Sequence, residues 1–297
     1  MHSCLAMGGG PGANNPCVLA GPSSSITRMD AKGGCRLRRV AVYAMILAVS
    51  SGCAISRLWE PSREQVLERI LPSSVQIVLE RDGQRFRSGS GVVIAGRSST
   101  READCFVLTS GHTLSRRSGQ ERVFVLFGRH RGPGSKAPAT VLAHRETEDM
   151  DLGLLRAQTH ECFPTKFGRP PWLGDPILVV AYPWGRNMML VGGIVSQVNA
   201  DQPADRDTAP RLIVDASVSY GSSGGGVYDG RTGGLVGLVE GYRTARVSFQ
   251  GDTSQYIDVP LPGETYVVPL ADIRRFLIEA GQQELLGELR ATANTRQ

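Results

Sequence analysis

The chain has 297 residues, 41% of them hydrophobic and 21% charged, with 36 glycines and 17 prolines. That length allows one large or two small domains with a true core, and short apolar runs set between turn formers favour β architecture over helices. The net charge of +5 is uneven: residues 1–53 hold five basic residues and one acid, which leaves 28 basic and 27 acidic residues in the remainder, and that balance does not mark a nucleic-acid partner.

Residues 1–28, rich in Gly, Pro, Ser and Asn and without periodicity, read as a disordered extension or a mis-assigned start, with Met29 as the true one. Residues 29–53 read as a secretory signal peptide. Lys32, Arg36, Arg38 and Arg39 precede an apolar run at 40–49, about half of the roughly 20 residues a spanning helix needs. Ser50-Ser51-Gly52-Cys53 looks like a bacterial lipobox, which marks Cys53 for lipidation and the protein for export to the periplasm as an outer-membrane lipoprotein. Ordinary cleavage nearby is the alternative. Three cysteines remain after processing: Cys53, Cys105 and Cys162. An oxidising compartment permits a Cys105–Cys162 disulfide, and two buried free thiols are the other reading.

Residues 54–72 form a linker with a short helix, because Val66, Leu67, Ile70 and Leu71 recur at helical spacing between Pro61 and Pro72. Strands follow at 74–79, 91–95, 105–109, 123–127 and 140–143, rich in Val, Ile and Phe and separated by polar turns. A second set comprises 152–156, 176–181, 189–198, 212–214, 226–228, 235–239 and 264–268, and a closing helix spans 271–280. The pattern predicts an all-β chain of two antiparallel β-barrels, residues 73–168 and 169–280, with short helices at both ends and a tail at 281–297. Residues 200–211 and 244–263 read as long loops, either regulatory or plain surface excursions.

Three residues carry the candidate chemistry. His112 follows the apolar run 105–109 through Ser110-Gly111. Asp151 stands immediately before the apolar run 152–155. Ser223 lies in Tyr220-Gly221-Ser222-Ser223-Gly224-Gly225-Gly226, where glycines allow a tight turn and close approach of a substrate to the backbone. On such a turn the N–H groups of Gly221 and Ser223 point into one pocket and hold an oxyanion. Gly221-Ser222-Ser223-Gly224-Gly225 also fits the nucleophile elbow of α/β-hydrolases, but that fold places its histidine after the serine, and the five histidines at 2, 112, 130, 144 and 160 all precede Ser223. His144 competes less well because it lies among Arg145, Glu146 and Glu148 in a charged loop without a rigid apolar lead-in, and Asp149 because only Asp151 directly abuts the apolar strand. His160, Glu161 and Cys162 lack the spacing of a metal site.

The chain resembles the trypsin-like serine peptidases, and among them the bacterial HtrA (Deg) proteases. The resemblance runs from about Ser74 to Ile278. It rests on Ser88-Gly89-Ser90-Gly91-Val92-Val93, Thr109-Ser110-Gly111-His112, Asp151-Leu152-Gly153-Leu154-Leu155, Tyr182-Pro183-Trp184-Gly185, Gly193-Ile194-Val195-Ser196, Asp215-Ala216 and the serine turn. It implies a His112–Asp151–Ser223 triad, an oxyanion hole at Gly221 and Ser223, an acyl-enzyme intermediate, polypeptide substrates, no metal or organic cofactor, and a homo-oligomer, as many family members form. It also implies a substrate pocket floored near Ser217 and walled near Leu238 and Glu240. Neutral Ser217 favours small or medium apolar side chains, whereas Glu240 would attract a basic one. Two departures stand out. Ser222 replaces the Asp that pairs with a new N-terminus in trypsin-type zymogens, and the residues after Ser223 leave too little length for the PDZ domains common in HtrA proteins. The competing expectation is a catalytically silent protease fold that binds peptides or assists envelope assembly.

Overall fold

The computed structural model describes residues 60–98, 103–115, 120–147, 150–198, 212–249 and 252–286. The expected signal peptide, Cys53, the 1–28 extension and the 200–211 loop lie outside them, apart from the neighbouring ends of that loop's flanking strands. Helix α1 (Arg63–Ser73) opens on Ser62, whose hydroxyl accepts the Gln65 N–H while the Gln65 side chain returns to the Ser62 N–H. This capping box satisfies two end donors of the helix. Pro72 lies within its last turn rather than beyond it.

The first barrel contains β1 (Ser74–Arg81), β2 (Gln84–Ser98), β3 (Ala103–Thr109), the short α2 (Gly111–Leu114), β4 (Arg122–Phe127), β5 (Ser135–Thr147) and β6 (Met150–Thr159). Its six strands close in the order β1-β2-β3-β6-β5-β4. The second barrel contains β7 (Pro176–Ala181), β8 (Met189–Val198), β9 (Leu212–Val214), β10 (Gly226–Asp229), β11 (Leu235–Phe249) and β12 (Asp252–Pro269). It closes as β10-β11-β12-β9-β8-β7, and helix α3 (Leu270–Glu279) follows. Each barrel is filled from within by alternate strand residues, among them Ile77, Val93, Val107, Val125 and Leu155 in the first, and Val179, Val214, Val227, Val236 and Val267 in the second.

A third core lies between these interiors. Val92, Leu108, Leu152 and Leu154 of the first barrel pack with Leu178, Val180, Tyr228 and Leu238 of the second, and Val66, Ile70, Ile273 and Phe276 of the two long helices join them. The Tyr228 phenol is fully buried there, and its oxygen sits 3.2 Å from both Ser73 Oγ and Ser74 Oγ. This seam joins the two barrels through a shared core.

Four strands run well past their apolar segments. Residues 244–263, read as a loop, instead extend β11 and β12 into a projecting hairpin in which Arg246 faces Asp258 and Val247 faces Ile257. The Arg246 Nε–Asp258 Oδ1 pair spans 3.0 Å, and the guanidinium stacks over the Tyr256 ring at 3.8 Å. Cross-strand pairs of this kind stabilise a hairpin that has no core to face.

Candidate active site

Register brings the histidine and the aspartate together. Strands β3 and β6 are antiparallel with Thr109 opposite Gly153, so the chain leaving β3 passes beside the start of β6. There Asp151, almost entirely buried, spends both carboxylate oxygens on one residue. Oδ1 accepts the His112 backbone N–H at 2.7 Å and Oδ2 lies 2.6 Å from His112 Nδ1. Because a carboxylate only accepts, the neutral ring carries its proton on Nδ1 and turns an unprotonated Nε2 toward the cleft.

Burial alone would lower the His112 pKa, but the hydrogen bond and charge of Asp151, with the charge of Glu146, outweigh it, and the Arg87 guanidinium pulls the other way. The net shift is upward. Arg87 also donates to the His112 carbonyl at 2.8 Å. Glu146 stands opposite Asp151 in the β5–β6 pairing and accepts a hydrogen bond from Ser115. Neither Arg87 nor Glu146 is recognisable in the sequence, since each is one charge among many on a polar strand end.

Ser223 sits on the turn that leads into β10. Gly221 and Gly224 take φ of 85° and 82°, values that disfavour any side chain. Nearly every other peptide group of the turn is committed. Ser222 N–H donates to the Ser219 carbonyl at 3.0 Å, Gly224 N–H to Val239 at 2.7 Å and Gly225 N–H to Ser222 at 2.9 Å. The Tyr220 carbonyl accepts the Trp184 N–H at 2.6 Å, and the Ser223 carbonyl accepts the Ser90 N–H at 2.9 Å. The Gly221 carbonyl accepts Ser90 Oγ at 2.7 Å. Among the described residues, no hydrogen bond engages the N–H of Gly221 or of Ser223. Two backbone donors, flanking the buried Ser222, are left available.

Ser90 is the residue sequence reasoning missed. It is 1% exposed; besides its two bonds to the turn, its hydroxyl accepts the Tyr182 N–H at 2.8 Å. Its carbonyl accepts Thr109 Oγ1 at 2.7 Å. One serine of the first barrel thus ties together the Ser223 turn, the chain leaving β7 and the end of the histidine strand. Ser110 Oγ adds a further inter-barrel bond, to the Val239 carbonyl at 3.3 Å.

His112, Gly221 and Ser223 line one cavity of about 330 Å³, with Arg87, Glu146 and Tyr220 on its walls. Two larger hollows, of about 540 and 580 Å³, lie beside α1 and the β4–β5 connection; they are lined by Leu67, Leu71, Met188 and Leu190 and hold no serine. The three expected pocket residues do not line the His112 cavity. Ser217 is exposed, Glu240 is half-buried on β11, and Leu238 is 1% exposed within the seam core rather than on an open wall. Cys105 and Cys162 form a disulfide with Cα atoms 5.7 Å apart, which removes Cys162 as a thiolate ligand.

Two closed six-stranded barrels, with a histidine and a serine lining one cavity between them, define the trypsin-like class of fold. Residues 89–238 match the family model of the trypsin-like peptidase domain, half of the chain, and the protein belongs to that family. Among solved structures it is similar to the serine endoprotease from Yersinia pestis, with a TM-score of 0.54 and 20% identity over 74% of this chain and 66% of that one. The likeness is one of fold, and the chain spans about two thirds of that protein's length. No curated protein matches the chain.

Proposed function

We propose that the protein is a serine endopeptidase whose His112, Asp151 and Ser223 hydrolyse polypeptides through an acyl-enzyme. The carrying observation is the pairing of an Asp151-held imidazole with a serine turn on which, among the described residues, no hydrogen bond engages the Gly221 and Ser223 N–H groups. His112 Nε2 takes the Ser223 proton as Oγ bonds to the scissile carbonyl carbon. The carbonyl oxygen becomes an oxyanion held by the two N–H groups. Collapse breaks the C–N bond, and the amine leaves with the proton from His112. Water then attacks the ester, gives its proton to His112, and the second collapse returns it to Ser223. Asp151 holds the tautomer and stabilises the imidazolium without itself being protonated.

The basic, apolar and small-residue order of residues 29–53 supports export, the Gly52-Cys53 pair supports a lipid anchor, and the disulfide supports an oxidising compartment. With these, the reading is protein processing or quality control in the cell envelope, as a lipid-anchored protein and a homo-oligomer. One observation favours a second reading, a silent fold that binds peptides: among the described residues, no hydrogen bond joins Ser223 Oγ to His112. Such bonds are often long before substrate binds. A fluorophosphonate probe separates the two. Labelling that is lost in Ser223→Ala supports the peptidase, and absence of labelling in a folded chain assigns the fold to binding.

A further inference from the structure

Three aromatic rings of the second barrel form a continuous arc that meets the cleft at Tyr220. Tyr220, the residue before the candidate oxyanion donor Gly221, lies at its centre. The Trp184 ring is 5.2 Å away on one side and the Tyr242 ring 5.8 Å away on the other. Trp184 is 61% exposed and Tyr220 is 65% exposed, so most of two large apolar faces meets water beside the nucleophile. Contiguous exposed apolar side chains of this kind are candidates for binding sites.

The backbone is strained to produce this display. Trp184 has φ of 56°, an outlier for a bulky residue. Its N–H is bonded to the Tyr220 carbonyl, and the carbonyl of the next residue, Gly185, accepts Gln76 Nε2 at 2.9 Å and Arg85 Nη1 at 2.7 Å from the first barrel. Three separate anchors thus hold a conformation that turns the indole outward rather than into the core, and strain of that kind persists where a site requires it. The opposite wall differs in character: Arg87, Ser115 and Glu146 make it polar.

We propose that Trp184, Tyr220 and Tyr242 form a substrate subsite that binds an aromatic or large aliphatic side chain next to the scissile bond. The proposal rests on the peptidase reading for the identity of its ligand, a peptide in extended form, and adds the class of side chain selected. A planar ring laid on such a shelf buries apolar area on both partners and adds an aromatic contact. The gain over alanine is roughly tenfold in affinity.

The test is calorimetric titration of the full chain carrying Ser223→Ala, so that nothing is cleaved. The ligands are blocked octapeptides of alanine and serine in which one phenylalanine is moved through every position. The subsite is supported if phenylalanine at one or more positions tightens binding about tenfold over the parent, glutamate there does not, and Tyr220→Ala or Tyr242→Ala abolishes the gain. Affinity within twofold of the parent at every position overturns it, as does a gain that survives both substitutions in folded protein. The readout needs no turnover, so its failure is distinct from a failure of fluorophosphonate labelling, which concerns the serine alone.

Discussion

Replacing Ser90 by alanine tests whether the nucleophile turn is ordered from outside itself. The hydroxyl donates to the Gly221 carbonyl at 2.7 Å and accepts the Tyr182 N–H at 2.8 Å, at a site 1% exposed. Alanine leaves the buried Tyr182 N–H and the part-buried Gly221 carbonyl without that partner. At about 1–3 kcal/mol for each, the stability cost is on the order of 2–6 kcal/mol at most, read as a lowered Tm. The catalytic effect has a different origin. Deleting an oxyanion donor costs about 10²–10³ in rate; here Gly221 keeps its N–H, but the adjoining Gly221–Ser222 peptide plane loses its tether, so kcat should fall about 10- to 100-fold. KM, set by contacts along the peptide, should change less than about threefold. Steady-state kinetics on a peptide substrate, well below the variant's Tm, give both constants. A folded Ser90→Ala protein with a lowered Tm but kcat within twofold of the parent would refute the argument, leaving Ser90 only a packing role.

Other consequences follow from charge and covalent structure. Glu146 helps to raise the His112 pKa, and the base must be neutral to act, so Glu146→Gln should lower that pKa and move the acid limb of the kcat/KM profile to lower pH; an unmoved or upward-shifted limb contradicts this. Asp175 is held at a pKa of about 2, against an ordinary 3.8, by the Trp172 N–H and the Arg231 and Arg169 guanidiniums. A depressed carboxyl stabilises the fold above its unfolded pKa and loses that effect as pH falls toward 2. Asp175→Asn should therefore lower the Tm at pH 7 with a deficit that closes toward pH 2. The Cys105–Cys162 disulfide closes a separation of 57 residues. By loop entropy it is worth about 4 kcal/mol, so reduction or a double alanine variant should shift a urea midpoint downward without moving an inhibitor-binding constant for the cleft.

The parts of the site that were legible in the sequence are those with strong local grammar. His112 and Asp151 each adjoin an apolar strand, and Ser223 sits among glycines, so strand ends and a turn could be marked before any contact was known. The clamp was not legible. Ser90 lies in a run of small residues whose meaning arises only when β2 meets the second barrel, and a serine has no periodicity to betray burial. Strand lengths failed for a related reason. Residues 244–248 and 256–262 face solvent along most of both faces, and Val247, Tyr256 and Ile257 are all exposed. Without one buried face there is no apolar–polar alternation to read, and register comes instead from pairs such as Arg246 with Asp258.

The identity of residue 222 raises the question of what keeps the serine turn in working order. A carboxylate at that position could be held by a distant ammonium group. Ser222 is fully buried and its hydroxyl instead accepts the Ser219 N–H at 3.3 Å, a local bond that needs no cleavage to form. That bond fixes only the interior of the turn. Its outer carbonyls, at Tyr220, Gly221 and Ser223, are held by Trp184 and Ser90, and Ser90 belongs to the other barrel. The orientation of the two uncommitted N–H groups therefore depends in part on how the barrels dock, through the neighbouring peptide planes that Ser90 tethers. A substitution that loosens the seam core, such as Leu238→Ala, should impair kcat at a distance from the cleft, in proportion to how far it frees Ser90 from the turn. A buried substitution of equal stability cost inside one barrel, such as Val125→Ala, should lower the Tm alone. Equal effects of the two on kcat, at matched stability, would detach the oxyanion site from barrel docking.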